Sequence, residues 1–501
     1  MVSRTAQSVL AIDLGAGSGR AVIGRLTQGG GPDDLRLSME EIHRFPNDPV
    51  RVGKHLHWDI LRLLHEIKQA ILKAVQLEGD RLGSIAIDSW AVDFGLIGTD
   101  GQLLGNPYHY RDHHTDGVME EVCARLGRER IFAASGLQFL QFNTIYQLAA
   151  LQAQQPGLMD RADKLLMIPD LLRYFLTGEM HSEYTNASTT QLLNPVTRTW
   201  DAGLLSDLGL SPSLLLPPQA SGIRAGTLSP EVCAELGVPP IPVVTVGEHD
   251  TASAVVAVPA EGKDFAYLSC GTWSLLGTEL PAPVLTEQAL TWNFTNEGGV
   301  QGTTRLLKNI MGLWLVQESR RAWEKAGSRL SFPQLVQAAE SAAPFVSFID
   351  PDDDAFLNPG HMPEAIQAYC ARTGQPVPAS EGEIIRCVLE SLALKYRFVL
   401  ERTERLTGKR FDGLHMVGGG IQNSLLCRFT ANALQRPVWA GPVEGSAIGN
   451  IVVQYMALGV WNTLHEARQV IRSSFPVRTY SPENVDGWAE AYERFRGIIG
   501  E

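Results

Sequence analysis

Short apolar runs that break at glycine-rich turns recur along the chain. The run at residues 8–12 breaks at DLGAGSGR and resumes at residues 21–24. The run at residues 265–269 breaks at CGTWS in the same way and resumes at Leu275. Apolar runs on either side of a tight glycine turn are typical of two-stranded hairpins. The pattern therefore predicts one hairpin near the start of each half of the chain, as a weak internal repeat.

Helical spacing of apolar positions alternates with these strand-like runs. Residues 59–76 have helical spacing, and residues 82–87 form a short apolar run typical of a buried strand. A long stripe over residues 383–406 predicts a helix that ends at Gly408, a residue suited to a C-cap. Strands that alternate with helices favour an α/β fold with a covered sheet.

The length of the chain predicts two domains rather than one. A single hydrophobic core stops growing near 250 to 300 residues, and the chain has 501. Hydrophobic residues make up 44% and charged residues 19%, which is a globular balance. The apolar pattern is interrupted at residues 255–263, so we predict two related α/β domains at 1–254 and 255–501.

Charge and cysteine content exclude several classes of function. The net charge of −13 argues against general binding of nucleic acid or of a membrane surface, because both are polyanions. No apolar stretch approaches the roughly 20 residues of a membrane helix, and residues 1–10 do not have the pattern of a signal peptide. The six cysteines form no CxxC pair, which indicates free thiols in a reducing cytosol and no zinc site.

The first glycine turn, DLGAGSGR at residues 13–20, has the residue types of a phosphate-binding loop. Glycines let backbone N–H groups approach phosphate oxygens, while Ser18 and Arg20 add a hydroxyl and a positive charge. Asp13 could hold a hydrated Mg²⁺ beside them. A purely structural turn is the alternative. A similar turn at SCGTWS, residues 269–274, favours the phosphate interpretation.

A third glycine segment, VGGGIQN at residues 417–423, follows a predicted strand at residues 413–417 and precedes a helical pattern at residues 424–434. It lacks the lysine of a Walker loop and the spacing of a dinucleotide fingerprint. A helix start with three glycines still suits the base or ribose of a nucleotide.

Two strand ends carry carboxylates. Asp250, in GEHDTASA, follows the apolar run at residues 241–246, and it is either a general base or a helix N-cap. Asp88 and Asp93 flank Trp90 in IAIDSWAVDFG, a combination found in sugar pockets, although Trp90 could equally belong to the core. The pair His113 and His114 lies in a polar loop, where a solvated or cleft-edge position is favoured over metal binding.

These segments resemble the FGGY carbohydrate kinases, which belong to the superfamily of sugar kinases, Hsp70 and actin. The resemblance spans nearly the whole chain. It rests on RFPNDPVRVGKHLHWDI, DSWAVDFGLI, GNPYHYRD, LLMIPDLLRYFLTGE, EYTNASTTQLLNP, EHDTASAV, SCGTWSLLGTE, LLKNIMGLWLVQE and MVGGGIQN. The fold it implies is two ribonuclease H-like (actin-like ATPase) domains flanking a central catalytic cleft.

The resemblance also implies a role for individual residues. It assigns the ATP phosphates to Ala16, Gly17, Ser18, Gly19, Arg20 and Thr272, and the rest of the nucleotide site to Gln317 and Gly419. Ala91, His249 and Asn309 would contact the sugar, with Asp250 as proton acceptor. Two positions depart from the family: Gly17 stands where relatives often have serine, and Ala91 where they usually have glycine.

The activity implied by the resemblance is Mg²⁺- and ATP-dependent transfer of the γ-phosphoryl group to O1 of L-rhamnulose. A kinase for another ketose, such as L-fuculose or D-xylulose, is the first alternative. A nucleotide-dependent binding module of the same superfamily, without catalysis, is the second. Some relatives have cysteines at the places of Cys370 and Cys387, but a disulfide is not expected in a cytosolic protein. The oligomeric state stays open.

Overall fold

The computed structural model describes residues 7–29 and 35–501. Residues 1–6 lie outside the described residues. They belong to the amino-terminal segment that the sequence predicts not to be a signal peptide. The strands are β1 Ser8–Leu14, β2 Ser18–Gln28, β3 Leu35–Pro46, β4 Val50–Val52, β5 His55–His57, β6 Leu82–Ser89, β7 Phe94–Gly98, β8 Ala162–Met167, β9 Ser182–Glu183, β10 Leu193–Asn194, β11 Thr199–Trp200, β12 Pro218–Gln219, β13 Arg224–Thr227, β14 Pro242–Val244, β15 Ala266–Cys270, β16 Trp273–Leu280, β17 Thr295–Gly298, β18 Thr304–Met311, β19 Leu414–Val417, β20 Val438–Ala440 and β21 Arg478–Tyr480.

The helices alternate with these strands. They are α1 Ile60–Glu78, α2 Val118–Leu126, α3 Arg128–Ser135, α4 Thr144–Gln154, α5 Pro156–Met159, α6 Ile168–Thr177, α7 Tyr184–Ala187, α8 Ala202–Leu208, α9 Pro230–Leu236, α10 Asp250–Val256, α11 Glu287–Thr291, α12 Trp314–Lys325, α13 Phe332–Ser341, α14 Met362–Arg372, α15 Glu381–Thr407, α16 Ser424–Leu434, α17 Gly445–Ala457, α18 Leu464–Ser474 and α19 Asp486–Ile498. Within residues 7–29 and 35–501, no helix is both long enough and apolar enough to cross a membrane.

The chain divides into two compact units, each built from separate segments. The first unit comprises the described residues up to Glu261, together with Glu279–Leu306 and Gly445–Phe475. The second comprises Gly262–Thr278, Leu307–Glu444 and Pro476–Glu501. Residues 279–306 and 445–475, which a single boundary at 254/255 assigns to the second half, therefore pack with the first unit. The domain boundary itself stays a prediction.

The first unit contains a six-stranded sheet in the order β13-β14-β6-β1-β2-β3. Strands β1 and β2 form the predicted hairpin, with Asp13 opposite Arg20. The run predicted at residues 82–87 is β6, which lies parallel to β1 and sets Asp13 beside Asp88. Both aspartates are therefore at the same end of neighbouring parallel strands.

Helix α17 covers the sheet through contacts with β1, β2 and β6. Its apolar residues Ile448, Ile451 and Val452 are fully buried in one cluster with Val9 and Ala11 of β1. The helix also packs closely on α10, because a Cβ at Gly449 would stand 1.8 Å from the carbonyl oxygen of Ser253. Helix α10, which begins at Asp250, is therefore held from behind by α17.

The second unit is built on strands β16, β15, β19, β20 and β21, in that order, with residues 307–311 of β18 next to β16; residues 304–306 of β18 belong to the first unit. Strands β15 and β16 are antiparallel, which confirms the second predicted hairpin. The long helix predicted at residues 383–406 is α15, which begins after a capping box formed by Ser380 and Glu383. It ends at Gly408 in the left-handed conformation, as its sequence predicts.

Candidate functional site

The first hairpin turn exposes backbone at the position predicted to hold phosphate. Gly17 and Ser18 are exposed, and a Cβ at Gly17 would have open space around it. Asn47 fixes the turn, because its side-chain amide donates to the Gly15 carbonyl at 2.8 Å. At Gly19 a Cβ would lie 2.3 Å from the Phe45 ring, so only glycine fits there. The turn is therefore held in one conformation, and its backbone is accessible at Gly17 and Ser18.

Arg20 and Asp13 form an ion pair at the base of this turn. The Arg20 Nε and Nη2 atoms both donate to Asp13 Oδ2, at 2.9 and 2.6 Å. The two residues predicted to meet phosphate and hydrated metal therefore contact each other. Arg20 is only part-buried, so its guanidinium keeps access to solvent at the turn.

Asp88 is a buried carboxylate beside this pair. Asn450 of α17 donates to Asp88 Oδ2 at 2.6 Å. Burial, and then repulsion by Asp13, raises the pKa of Asp88 well above the ordinary value of an aspartate. The raised pKa favours the neutral acid, which reduces the repulsion among Asp88, Asp13 and Asp250.

Asp250 is the first residue of α10, and its side chain is 28% exposed. The N-cap is His249, whose extended backbone precedes the helix, so the alternative interpretation of Asp250 as the N-cap is wrong. Burial by the surrounding protein raises the pKa of Asp250; His249 opposes the rise, and Asp13 adds to it. A carboxylate that is accessible and has a raised pKa is suited to accept a proton.

His249 is buried, and both ring nitrogens face charged groups. Its Nε2 atom lies 3.5 Å from Asp250 Oδ1. Its Nδ1 atom lies 3.2 Å from Glu297 Oε2 and 3.1 Å from Arg305 Nη2. The imidazole is therefore held between the candidate base and an ion pair.

A buried ion cluster anchors the residue that precedes His249. Glu248 pairs with Arg173, which also donates to Asp170 at 2.5 Å. Burial raises the pKa of Glu248 well above its ordinary value, and Arg173 opposes this rise. The Glu248 carbonyl in turn accepts from the Ser89 N–H at 2.9 Å, which joins the segment to the end of β6.

Asp93 organises the aromatic residues that follow β6. Its Oδ2 atom accepts from Trp58 Nε1 at 2.6 Å and from Trp90 Nε1 at 3.0 Å, and Gln147 donates to Oδ1 at 2.9 Å. The two indole rings lie 3.9 Å apart between centroids. Trp90 is buried, as in the core interpretation, and burial raises the pKa of Asp93 to about 7, against the effect of these donors.

Ala91 is half-buried in a turn whose conformation is fixed by its neighbours. The following residue, Val92, has a φ of +67°, which is uncommon for a β-branched side chain. The Val92 N–H donates to the Thr189 hydroxyl oxygen at 3.3 Å, and the Val92 carbonyl accepts from the Thr144 hydroxyl at 2.7 Å. The Ala91 methyl group therefore stands on a backbone that cannot easily shift.

The second unit brings Thr272 and Gln317 together. The Thr272 hydroxyl donates to Gln317 Oε1 at 3.3 Å. The Leu313 N–H donates to the Gly271 carbonyl at 3.0 Å and the Trp314 N–H to the Thr272 carbonyl at 3.1 Å. The start of α12 therefore packs against the β15–β16 turn.

The glycine segment after β19 lies beside the same turn. A Cβ at Gly420 would stand 2.3 Å from Cys270 Sγ, and one at Gly418 would stand 2.9 Å from the Cys270 carbonyl. Gly419 between them is exposed, with open space around it. Bare backbone at Gly419 and Gly271, next to Thr272, fits the phosphates and ribose of a nucleotide.

Asn309 lies on β18 of the second unit and is half-buried. Ala91 and His249 lie in the first unit. The residue before Asn309, Lys308, is buried, and burial lowers its pKa to about 8.

Among the described residues, no group of three or more His, Cys, Asp or Glu side chains is arranged to hold a metal ion. His113 is exposed and pairs with Asp116 at 2.9 Å. His114 is instead buried, pairs with Asp112 and stacks on Tyr108. The two histidines are therefore not one solvated pair.

Sequence reasoning did not identify Glu297 and Arg305. A signal was present, because Arg305 interrupts the apolar run of β18 and a charge in a buried strand is usually paired. The partner, however, lies on another strand, and the spacing alone does not reveal it.

Comparison with known proteins gives a family for both parts of the chain. The N-terminal domain of the FGGY family of carbohydrate kinases matches residues 8–257, and its C-terminal domain matches residues 266–458. The rhamnulokinase of Bacteroides thetaiotaomicron is 46% identical, over 98% of this chain and 99% of the relative. The rhamnulokinase of Pectobacterium atrosepticum is 44% identical, over 98% and 96%.

The fold is that of solved sugar kinases. A ligand-bound xylulose kinase from Lactobacillus acidophilus superposes with a TM-score of 0.79 at 16% identity, covering 98% of this chain and 97% of that one. This confirms the predicted α/β sugar-kinase fold with two domains. With both family domains matched in order along the chain, the protein belongs to the FGGY family of carbohydrate kinases.

Proposed function

We propose that this sugar kinase transfers the γ-phosphoryl group of ATP to O1 of L-rhamnulose, with Asp250 as general base. The observation that carries the substrate assignment is the name of its relatives, since rhamnulokinases 42 to 46% identical match nearly the full chain. The observation that supports the base is the position of Asp250, accessible at the start of α10 with a raised pKa.

The sugar hydroxyl would be oriented and deprotonated by Asp250. Such in-line transfer depends mainly on positioning and on charge stabilisation. The backbone of residues 16–19 and the Arg20 guanidinium would meet phosphate oxygens in the first unit. Thr272, Gln317 and Gly419 would hold the nucleotide in the second. Ala91, His249 and Asn309 would contact the sugar.

Mg²⁺, when bound with ATP, would neutralise phosphate charge. Asp13 is the residue we assign to it, through water, because β1 carries this carboxylate to the start of the phosphate turn. Its ion pair with Arg20 holds its carboxylate at the base of that turn. We also propose a reducing compartment such as the cytosol, which fits the six free cysteines.

A ketose panel tests this function. The purified chain is mixed with MgATP and, separately, with L-rhamnulose, L-fuculose and D-xylulose, and ADP release is followed. Asp250→Asn serves as the control for contaminating activity. We expect the highest kcat/KM with L-rhamnulose, and a product whose phosphorus couples to the C1 protons in NMR. Preference for another ketose overturns the substrate, and nucleotide binding without turnover supports the binding-module alternative.

A further inference from the structure

A buried trio of His249, Arg305 and Glu297 lies beside the candidate base in the first unit. Arg305 is on β18 and Glu297 on β17. Arg305 Nη2 lies 3.1 Å from Glu297 Oε2 and 3.1 Å from His249 Nδ1. Nothing in the proposed reaction assigns a role to Glu297 or Arg305.

The orientation of Arg305 is fixed by two contacts besides the imidazole. Its Nε donates to the Gly298 carbonyl at 2.9 Å, and the Glu297 carboxylate pairs with Nη2. The contacts with Gly298, Glu297 and His249 all use the Nε–Nη2 edge of the planar guanidinium. The contact of Nη2 with His249 Nδ1 has hydrogen-bond geometry.

The chemistry of arginine then determines the state of the histidine. A guanidinium has only donors and keeps its proton, so an acceptor must face it. His249 Nδ1 must therefore present its lone pair to Arg305, and the ring hydrogen must be on Nε2. Glu297 Oε2 is also near Nδ1, at 3.2 Å, and without Arg305 this carboxylate would instead favour a hydrogen on Nδ1.

We propose that Arg305, held by Glu297, is a positioning residue that fixes His249 as the Nε2–H tautomer, so that Nε2 donates a hydrogen bond to a sugar oxygen beside Asp250. Nε2 is 3.5 Å from Asp250 Oδ1, which is longer than a good hydrogen bond, so this donor remains available to a bound sugar. The inference rests on the proposed role of His249 as a sugar contact.

The Nε2–H tautomer also gives His249 and Asp250 different roles. A lone pair on Nε2 would compete with Asp250 for the proton of the sugar hydroxyl. A hydrogen on Nε2 removes that competition, because the imidazole can then only donate at this atom. The base is Asp250, and His249 selects a sugar with an oxygen lone pair at the matching position.

Tautomers are read directly by NMR of the full-length chain labelled with ¹⁵N-histidine, at about pH 8, where an ordinary imidazole is neutral. His249→Gln identifies the His249 signals. We expect Nε2–H in the unmodified protein and Nδ1–H in Arg305→Met, where Glu297 becomes the partner of Nδ1. Nδ1–H or an imidazolium in the unmodified protein overturns the proposal, and so does an unchanged tautomer in Arg305→Met.

Kinetics supply a second readout. Loss of one hydrogen bond between neutral groups corresponds to roughly two- to tenfold in affinity, so Arg305→Met should raise the KM for the sugar by about that factor and leave the KM for ATP unchanged. Equal changes in both constants overturn the positioning role.

Glu279→Gln is the matched control. The Glu279 carboxylate also forms a buried ion pair in the first unit, with Arg468 at 2.6 Å, and it accepts from Thr303 at 3.1 Å. It is expected to lower stability without moving the His249 tautomer or the sugar KM. If Arg305→Met does not fold, the tautomer of the unmodified protein alone decides the inference. Failure of the ketose panel would leave that tautomer result intact, so the two proposals fail separately.

Discussion

Asp250 and Asp93 both follow strands of the first unit, but their surroundings give them different chemistry. Asp250 is partly accessible and has Thr251 as a hydrogen-bond donor at 3.2 Å. Asp93 is buried and accepts from two indoles, an amide and the Tyr110 N–H. The first is placed to exchange a proton with a ligand, whereas the second holds the aromatic residues in place.

Asp250→Asn keeps the size of the side chain but removes the base. General-base catalysis contributes roughly 10²- to 10⁴-fold, so we expect kcat to fall by a factor in that range while the melting temperature changes little. Steady-state rates and a melting curve measure both. Asp59→Asn is the control, because Asp59 caps α1 through the Arg62 N–H and an amide caps about as well. Near-normal turnover would mean that the base is another residue, with Asp88 and Asp93 the first candidates.

The raised pKa of Asp250 also sets the pH dependence of turnover. A protonated carboxyl cannot accept a proton, so activity is lost as pH falls through this pKa. We expect the acidic limb of kcat to lie above the ordinary aspartate range. A limb at or below that range would contradict the assignment.

Asp93 makes stability depend on pH in the opposite direction from an ion-paired carboxylate. Its folded-state pKa is raised to about 7, so the folded protein binds more protons than the unfolded chain between about pH 4 and that value. The contribution of Asp93 to the free energy of unfolding is fully present below its pKa in the unfolded chain. It is lost as pH rises through its pKa in the folded protein. The melting temperature should therefore decline relative to Asp93→Asn over this interval. A constant difference between the two proteins would show that the Asp93 pKa is not raised.

At the scale of elements, α10 and α17 form the support behind the candidate base. Gly449 lets the helices approach so closely that the Ser253 backbone occupies the place of a side chain. Asn450, the next residue, donates to Asp88. Helix α17 thus supports both α10, which begins at Asp250, and the end of β6, which carries Asp88.

Gly449→Ala should force α10 and α17 apart. Overpacking a close contact costs roughly 1 to 3 kcal/mol, and displacement of α10 also moves Asp250, so both the melting temperature and kcat should fall. Thermal unfolding and rates measured well below the transition check this. Gly497→Ala, near the end of α19, is the control, because a Cβ there has open space. Full activity in Gly449→Ala would show that the helix contact does not position Asp250.

Local elements could be predicted from the sequence, but the contacts between them could not. The hairpins and α15 depend on glycine turns, capping residues and apolar spacing, all within a few neighbouring residues. The partners of Asp93 include Trp58, which is 35 residues away, and Gln147, which is 54 away. Arg305 and His249 are 56 residues apart. Such pairs are set by sheet order and helix packing, which no local pattern specifies.

At the scale of the whole molecule, the residues proposed for the sugar and for the nucleotide are divided between the units. Of the residues proposed for the sugar, Ala91, His249 and Asp250 belong to the first unit and Asn309 to the second, while Thr272, Gln317 and Gly419, proposed for the nucleotide, belong to the second. The phosphate turn at residues 16–20 belongs to the first unit as well. Each ligand should therefore slow amide hydrogen exchange in its own set of segments.

Hydrogen exchange with mass spectrometry measures this pattern. L-Rhamnulose alone should slow exchange at residues 89–92 and 248–251, because bound ligand reduces local opening. A non-hydrolysable ATP analogue alone should slow exchange at residues 271–273 and 418–420. D-Mannitol at equal concentration is the control. Protection by the sugar confined to the second unit would contradict the assignment of Ala91 and His249.

The late position of α17 in the sequence has a consequence for synthesis on the ribosome. Strands β1, β2 and β6 emerge early, but the helix that covers them begins only at Gly445. At roughly 5 to 20 residues per second, the nascent sheet waits tens of seconds for this helix. During that time Val9, Ala11 and Val22 lack their final cover. The nascent chain therefore depends on being shielded from other nascent chains. We expect its yield to be limited by the folding step that follows synthesis of α17 rather than by translation.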